Sequence, residues 1–186
     1  PLVSSDASSI YEVIGGAEMV ERLVKRAAAA IDLYASGENH IGIIVDEYGA
    51  HHAESKFGFP IRELPNGLEQ PAFLRDAILA ARVMHVFMRQ ADRVSGANLS
   101  VSINVLHTAL KTEGTLLIRT PTFYVLDMLK EHMNTNAVRV HGDFGIFEID
   151  QRHKEDTPLN QSGFDVFEGS QDGGVRTLPN LDIVAS

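Results

Sequence analysis

The run Ile41-Gly42-Ile43-Ile44-Val45 is apolar throughout and stops at Asp46-Glu47-Tyr48-Gly49. A short run without polar alternation reads as a strand buried on both faces, and such strands belong to parallel sheets covered by helices. The flanking segments agree. Between Gly16 and Ser36, the residues Met19, Val20, Leu23, Val24, Ala27, Ala28, Ile31 and Tyr34 recur at helical spacing, and Gly37 supplies a C-terminal stop. Pro71 opens a second helix, with Leu74, Ala77, Ile78, Ala81, Met84, Phe87, Met88 and Ala91 as its buried stripe. Leu99, Val101, Ile103 and Val105 alternate with polar residues and predict a second strand. Thr120-Pro121 supplies an N-cap and a first-turn proline for a third helix bearing Phe123, Leu126, Leu129 and Met133. Helix, strand, helix, strand, helix is the order of an α/β fold with a parallel sheet.

After Asn134 the texture changes. Val138, Val140, Phe144, Ile146, Phe147 and Ile149 suit β structure, residues 151–175 are polar and Gly-rich, and Leu178 to Val184 reads as one more strand. This shift divides the chain into residues 1–135 and 136–186. At 186 residues and 44% hydrophobic content, the chain can bury a real core.

Charge and cysteine content exclude several kinds of function. Asp and Glu number 25 against 16 Lys and Arg, a net charge of -9, which opposes binding to nucleic acid or an anionic membrane surface. Zero Cys removes disulfide scaffolds, thiolate metal sites and Cys nucleophiles. No stretch approaches the ~18 consecutive apolar residues of a membrane span. The opening Pro1-Leu2-Val3-Ser4-Ser5-Asp6 lacks signal-peptide features and an initiator Met, which is expected equally of a processed start and of an excised fragment.

Candidate chemistry concentrates where the apolar run stops. Sites in parallel α/β folds are built at the C-terminal ends of strands. Asp46 and Glu47 stand at such an end, beside a predicted loop over residues 49–70 punctuated by Gly49, Gly58, Pro60, Pro65 and Asn66-Gly67. Because successive strand residues point to opposite sides, one acid is expected to face the site while the other makes a structural hydrogen bond. His51, His52 and Glu54 could join Asp46 or Glu47 around a metal, but their spacing is not the helical His-Glu-x-x-His arrangement. The blander reading places them as polar loop residues beside a sugar or water pocket. His85, His132, His141 and His153 read as structural or solvated. There is no Gly-x-Ser-x-Gly nucleophile elbow, and Gly169 to Gly174 lacks the Lys-Ser/Thr ending of a phosphate loop.

The segment Ile44-Val45-Asp46-Glu47-Tyr48-Gly49 resembles the nucleophile strand of glycoside hydrolase family 51, the α-L-arabinofuranosidases. The similarity continues in order: Leu74-Arg75-Asp76-Ala77 and Ala91-Asp92-Arg93-Val94 resemble the start and end of the next helix. Ala97-Asn98-Leu99 and Asn104-Val105-Leu106 resemble the last barrel strand, and Thr112-Glu113-Gly114 with Thr120-Pro121-Thr122-Phe123 leads into the last barrel helix. Residues 10–135 carry this resemblance well and the tail loosely.

The resemblance implies the last strands and helices of a (β/α)8 TIM barrel over residues 1–135, followed by part of an all-β, jelly-roll-like sandwich over 136–186. It implies a retaining glycosidase that releases non-reducing terminal α-L-arabinofuranosyl residues from arabinose-containing oligosaccharides and polysaccharides. Glu47 would be the nucleophile and His51 a substrate-binding residue, with no metal and no cofactor. The general acid/base of that family is a Glu following Asn on an earlier strand, and no such pair precedes Glu47 here. A complete barrel takes about 250 residues, so the chain is expected to be a fragment, inactive alone. A cytoplasmic homo-oligomer is implied as well. Three positions depart from the family pattern: Tyr48 replaces a common Trp, His51-His52 a common Trp-Tyr pair, and Val101 a Gln that meets the sugar. A barrel glycosidase of other sugar specificity is therefore an alternative. Two further readings are a non-catalytic module that binds carbohydrate or a partner, and a metal-dependent hydrolase using Asp46, His51 and His52.

Overall fold

The computed structural model describes residues 2–5, 10–35, 40–52, 68–143, 145–150 and 175–179, with side chains described for 15–35, 40–50, 68–143 and 145–146. The expectations for Gly37, most of the 49–70 loop, Glu54, Phe144, His153, the 151–174 tract and the end of the last predicted strand lie outside the described residues.

The order of elements is β1 (Leu2–Ser5), α1 (Ile10–Tyr34), β2 (Ile43–His52), α2 (Leu74–Arg89), β3 (Val94–Leu99), β4 (Leu110–Glu113), β5 (Leu116–Arg119), α3 (Pro121–Leu129), β6 (Ile146–Asp150) and β7 (Val175–Pro179). The described chain divides into two units, one running to Val140 and the other beginning at His141. In the first unit, β1, β2 and β3 form a parallel sheet with β2 in the middle, and β4 and β5 form an antiparallel hairpin. The second unit contains the antiparallel pair β6–β7, with Ile146 opposite Pro179 and Asp150 opposite Val175. The fold is α/β with small sheets.

The core of the first unit lies between the sheet and two helices. Val20 and Val24 of α1 and Leu79, Val83, Val86 and Phe87 of α2 bury against Val45, Tyr48 and Ala50 of β2. Between the helices, buried Arg82 reaches Glu18 at 3.1 Å. The α1 stripe falls where the spacing predicts, except that Tyr34 at the helix end is exposed.

Several expectations are corrected. Ile44 is 64% exposed, so β2 is covered by helices on one face only among the described residues. The apolar run does not end the strand, because β1 pairs beside Gly49–His52 and carries β2 through both acids. Helix α2 starts at Leu74, three residues after Pro71, since the Asp76 carboxylate accepts the Phe73 backbone N–H at 2.8 Å and holds the chain there. Its buried face also includes Leu79, Ala80, Val83 and Val86, while Leu74 is exposed.

The second predicted strand is displaced. Pairing with β2 holds residues 94–99, whose Gly96, Ala97 and Asn98 carry little strand propensity, and the alternating stretch beyond Leu99 forms a loop instead. Asn104 and Leu106 in that loop have positive φ. Thr120 does precede Pro121 at the start of α3, but its hydroxyl donates to the carbonyls of Thr108 (2.6 Å) and Ala109 (3.1 Å) rather than capping the helix. Helix α3 stops at Leu129 and leaves Met133 exposed. The last predicted strand begins earlier, at Val175 rather than Leu178.

Candidate active site

The pairing of β2 with β3 places both acids. Val45 pairs with Ala97 and Tyr48 with Leu99, so three steps along β2 match two along β3. The extra residue is a bulge, which re-aims side chains along the strand. Val45 and Tyr48 consequently both bury in the core under the helices. Asp46 and Glu47 lie between them and are both exposed. Simple alternation separates the two acids; the bulge exposes them together. Neither side chain makes a hydrogen bond or an ion pair with another described residue.

The backbone after Glu47 is held from several directions. The Tyr48 ring packs edge-on against Phe87 at 5.3 Å between centroids, and its hydroxyl donates to Met84 Sδ at 3.3 Å. Burial pushes the Tyr48 phenol up to about 12. Gly49 has φ +156, and a Cβ there would overlap the imidazole of His107. The Ala50 N–H donates to His107 Nδ1 at 3.1 Å, and Gln70 Nε2 donates to the Ala50 carbonyl at 3.2 Å. Lys111 Nζ in turn donates to the Gln70 carbonyl at 2.6 Å. These contacts draw the ends of the 68–70 and 100–111 segments to the end of β2.

His51 and His52 continue β2, their backbones paired with Ser4 and Ser5, and their side chains lie outside the described residues. Among the described residues, no three His, Asp or Glu side chains gather as a metal site would require. Val101, which the resemblance sets against a sugar-contacting Gln, is 46% exposed just after β3. Sequence reasoning passed over His107. No local pattern marks a single His in a loop, and its role comes from contact with residues 57 positions away.

Parallel strands under a helical layer, with two acids exposed together at a bulge, define the class: a segment of an α/β fold carrying carboxylates on its central parallel strand. Comparison with known proteins makes this specific. The family profile of the α-L-arabinofuranosidase C-terminal domain matches residues 46–178. An intracellular exo-α-L-arabinofuranosidase of Bacteroides ovatus is 30% identical over 130 residues, which are 70% of this chain and 24% of the relative. The glycoside hydrolase family 51 arabinofuranosidase of Xanthomonas axonopodis pv. citri superposes with a TM-score of 0.59 at 25% identity, covering 80% of this chain and 32% of that one. The α-L-arabinofuranosidase of Thermotoga maritima, solved with arabinose, gives a TM-score of 0.66 at 23% identity, covering 80% and 29%. This chain belongs to the α-L-arabinofuranosidase C-terminal domain family and corresponds to the C-terminal part of family 51 arabinofuranosidases. It spans about a quarter of the length of the curated relative.

Proposed function

We propose that this chain supplies the nucleophile half of a retaining α-L-arabinofuranosidase active site, with Glu47 as the nucleophile. The observation that carries the reading is the bulge between Val45 and Tyr48, which leaves Glu47 exposed on the central parallel strand of a family 51 relative. Residues 1–135 would form the last part of a (β/α)8 barrel and residues 136–186 part of a β-sandwich. Ile44 supports the barrel: a residue 64% exposed in the middle of a central strand is what remains when the inner face of a barrel is seen without its other strands.

In the whole enzyme a Glu47 carboxylate oxygen attacks the anomeric carbon of a terminal arabinofuranosyl unit. The glycosidic bond breaks with its electron pair moving to the leaving oxygen, which a second carboxyl group outside this chain protonates. That second group then takes a proton from water, and the water oxygen displaces Glu47 from the glycosyl-enzyme ester to release arabinose. Retention requires the two carboxyl groups about 5 Å apart, so the position of the strand end matters as much as the acid itself. His51 would line the sugar pocket. The substrate class is arabinose-containing oligosaccharides, which the names of the relatives support, and the intracellular Bacteroides ovatus relative supports a cytoplasmic location. A homo-oligomer is part of the same reading.

Glu47→Gln in the full-length protein tests it. Loss of at least ~10³-fold in kcat on an aryl α-L-arabinofuranoside is expected, because covalent catalysis needs the carboxylate. Near-normal turnover would overturn the assignment, and binding of arabinosides without any turnover by the unmodified protein would point to a binding module.

A further inference from the structure

We propose that His107, together with Gln70, is a positioning residue for Glu47: the two side chains replace the rung of the sheet that β3 abandons. This rests on the reading of Glu47 as the nucleophile.

Residues two apart on a strand turn their backbone hydrogen-bonding groups toward the same neighbour. The Tyr48 carbonyl accepts the Ser100 N–H at 3.0 Å, the last rung toward the β3 side. Strand β3 ends at Leu99, so the next rung on that side, at Ala50, has no strand opposite it, β1 lying along the other side of β2. His107 Nδ1 accepts the Ala50 N–H at 3.1 Å, and Gln70 Nε2 donates to the Ala50 carbonyl at 3.2 Å. Both side chains are almost completely buried, at 1% and 2% exposure. Buried backbone groups left without partners keep their full desolvation cost. Two side chains therefore close the ladder and leave the chain after Leu99 free to turn away from the sheet.

His107 is in contact with each of the three residues that follow Glu47. Its ring stands 6.4 Å from that of Tyr48 between centroids, fills the place of a Gly49 side chain, and accepts from Ala50. Accepting at Nδ1 requires the neutral tautomer with its proton on Nε2. Glu47 itself carries no bond to a described residue, so its carboxylate position is inherited from this backbone. A misplacement of about 1 Å can cost ~10²-fold in rate.

The test is made on the full-length protein with His107→Leu, which fills the site without an acceptor, and His107→Asn, whose Oδ1 falls near the place of Nδ1. An aryl 2-deoxy-2-fluoro-α-L-arabinofuranoside serves as a covalent label. The fluorine slows both displacements while an activated aryl leaving group keeps the first fast, so the ester accumulates on the nucleophile, and peptide mapping locates it. Rates are counted per labelled site, which removes unfolded protein from the comparison. Expected are labelling at Glu47, a fall of about 10–10²-fold in kcat and labelling rate for His107→Leu with KM within about 3-fold, and recovery to within several-fold for His107→Asn. Packing alone would favour Leu over Asn, so equal losses in the two variants, or a normal His107→Leu, would overturn the proposal while Glu47 stands. If His107→Leu yields no labelled sites, Gln70→Leu is measured in its place with the same expectation for kcat, and a normal rate there overturns the paired role. A label found on another residue overturns the nucleophile reading, and the positioning role with it.

Discussion

Gly49 and His107 share one volume: the side chain that any other residue would bring to position 49 is the space the imidazole of His107 occupies. The two are 58 positions apart, and their contact joins the strand bearing Glu47 to the loop after β3.

Gly49→Ala is expected to destabilise the protein by on the order of 2–5 kcal/mol. Two costs combine, the φ of +156 that only glycine adopts readily and the overlap with a buried ring. Denaturant unfolding of the full-length protein measures it, and a loss below ~1 kcal/mol would show that His107 can move aside.

The phenol of Tyr48 gives the protein an alkaline limit. Its pKa rises from 10.0 to about 12 through burial, so the folded chain keeps a proton that the unfolded chain has released. Its contribution is therefore intact below pH about 10 and is lost as the pH rises toward 12, by on the order of 2 kcal/mol. Unfolding midpoints followed from pH 9 to about 12 should fall more steeply in the unmodified protein than in Tyr48→Phe.

Glu18→Ala should cost about 1–3 kcal/mol, because it leaves the buried guanidinium of Arg82 without its 3.1 Å partner between α1 and α2. A double-mutant cycle with Arg82→Met isolates the pair. Coupling near zero would mean that Arg82 is held by its packing alone.

Thr120→Val should cost about 1–2 kcal/mol and Thr120→Ser much less, since the buried hydroxyl ties the start of α3 to Thr108 and Ala109. If the hydroxyl were only a helix cap, Thr120→Asp would preserve stability. Thermal unfolding of the three variants separates these roles, because Asp cannot donate to the two carbonyls.

Much of the helical layer was legible because amphipathic spacing is a local property. The α1 stripe around Val20 and Val24 follows from it, and Pro121 marks the start of α3 although the Thr120 hydroxyl bonds elsewhere. The strands were less legible. Residues 94–99 are a strand because β2 lies beside them, although their own propensity is weak, and residues 101–105 alternate yet form a loop that meets β4 only at the single bridge of Ile103 to Leu110. Asp46 and Glu47 were identifiable as the acids that stop an apolar run. That both would be exposed was not, because a bulge arises from a mismatch between two strands and leaves no mark in one.

The α/β class, the acidic pair at positions 46 and 47 and the family are readable before the chain folds, since each rests on residue types in a particular order. The register of β2 on β3, the use of His107 and Gln70 to complete the rung at Ala50, and the requirement for glycine at position 49 emerge only in the folded chain. Those depend on backbone groups meeting side chains from distant parts of the chain, and a hydrogen bond or a steric overlap of that kind exists only once the chain has folded.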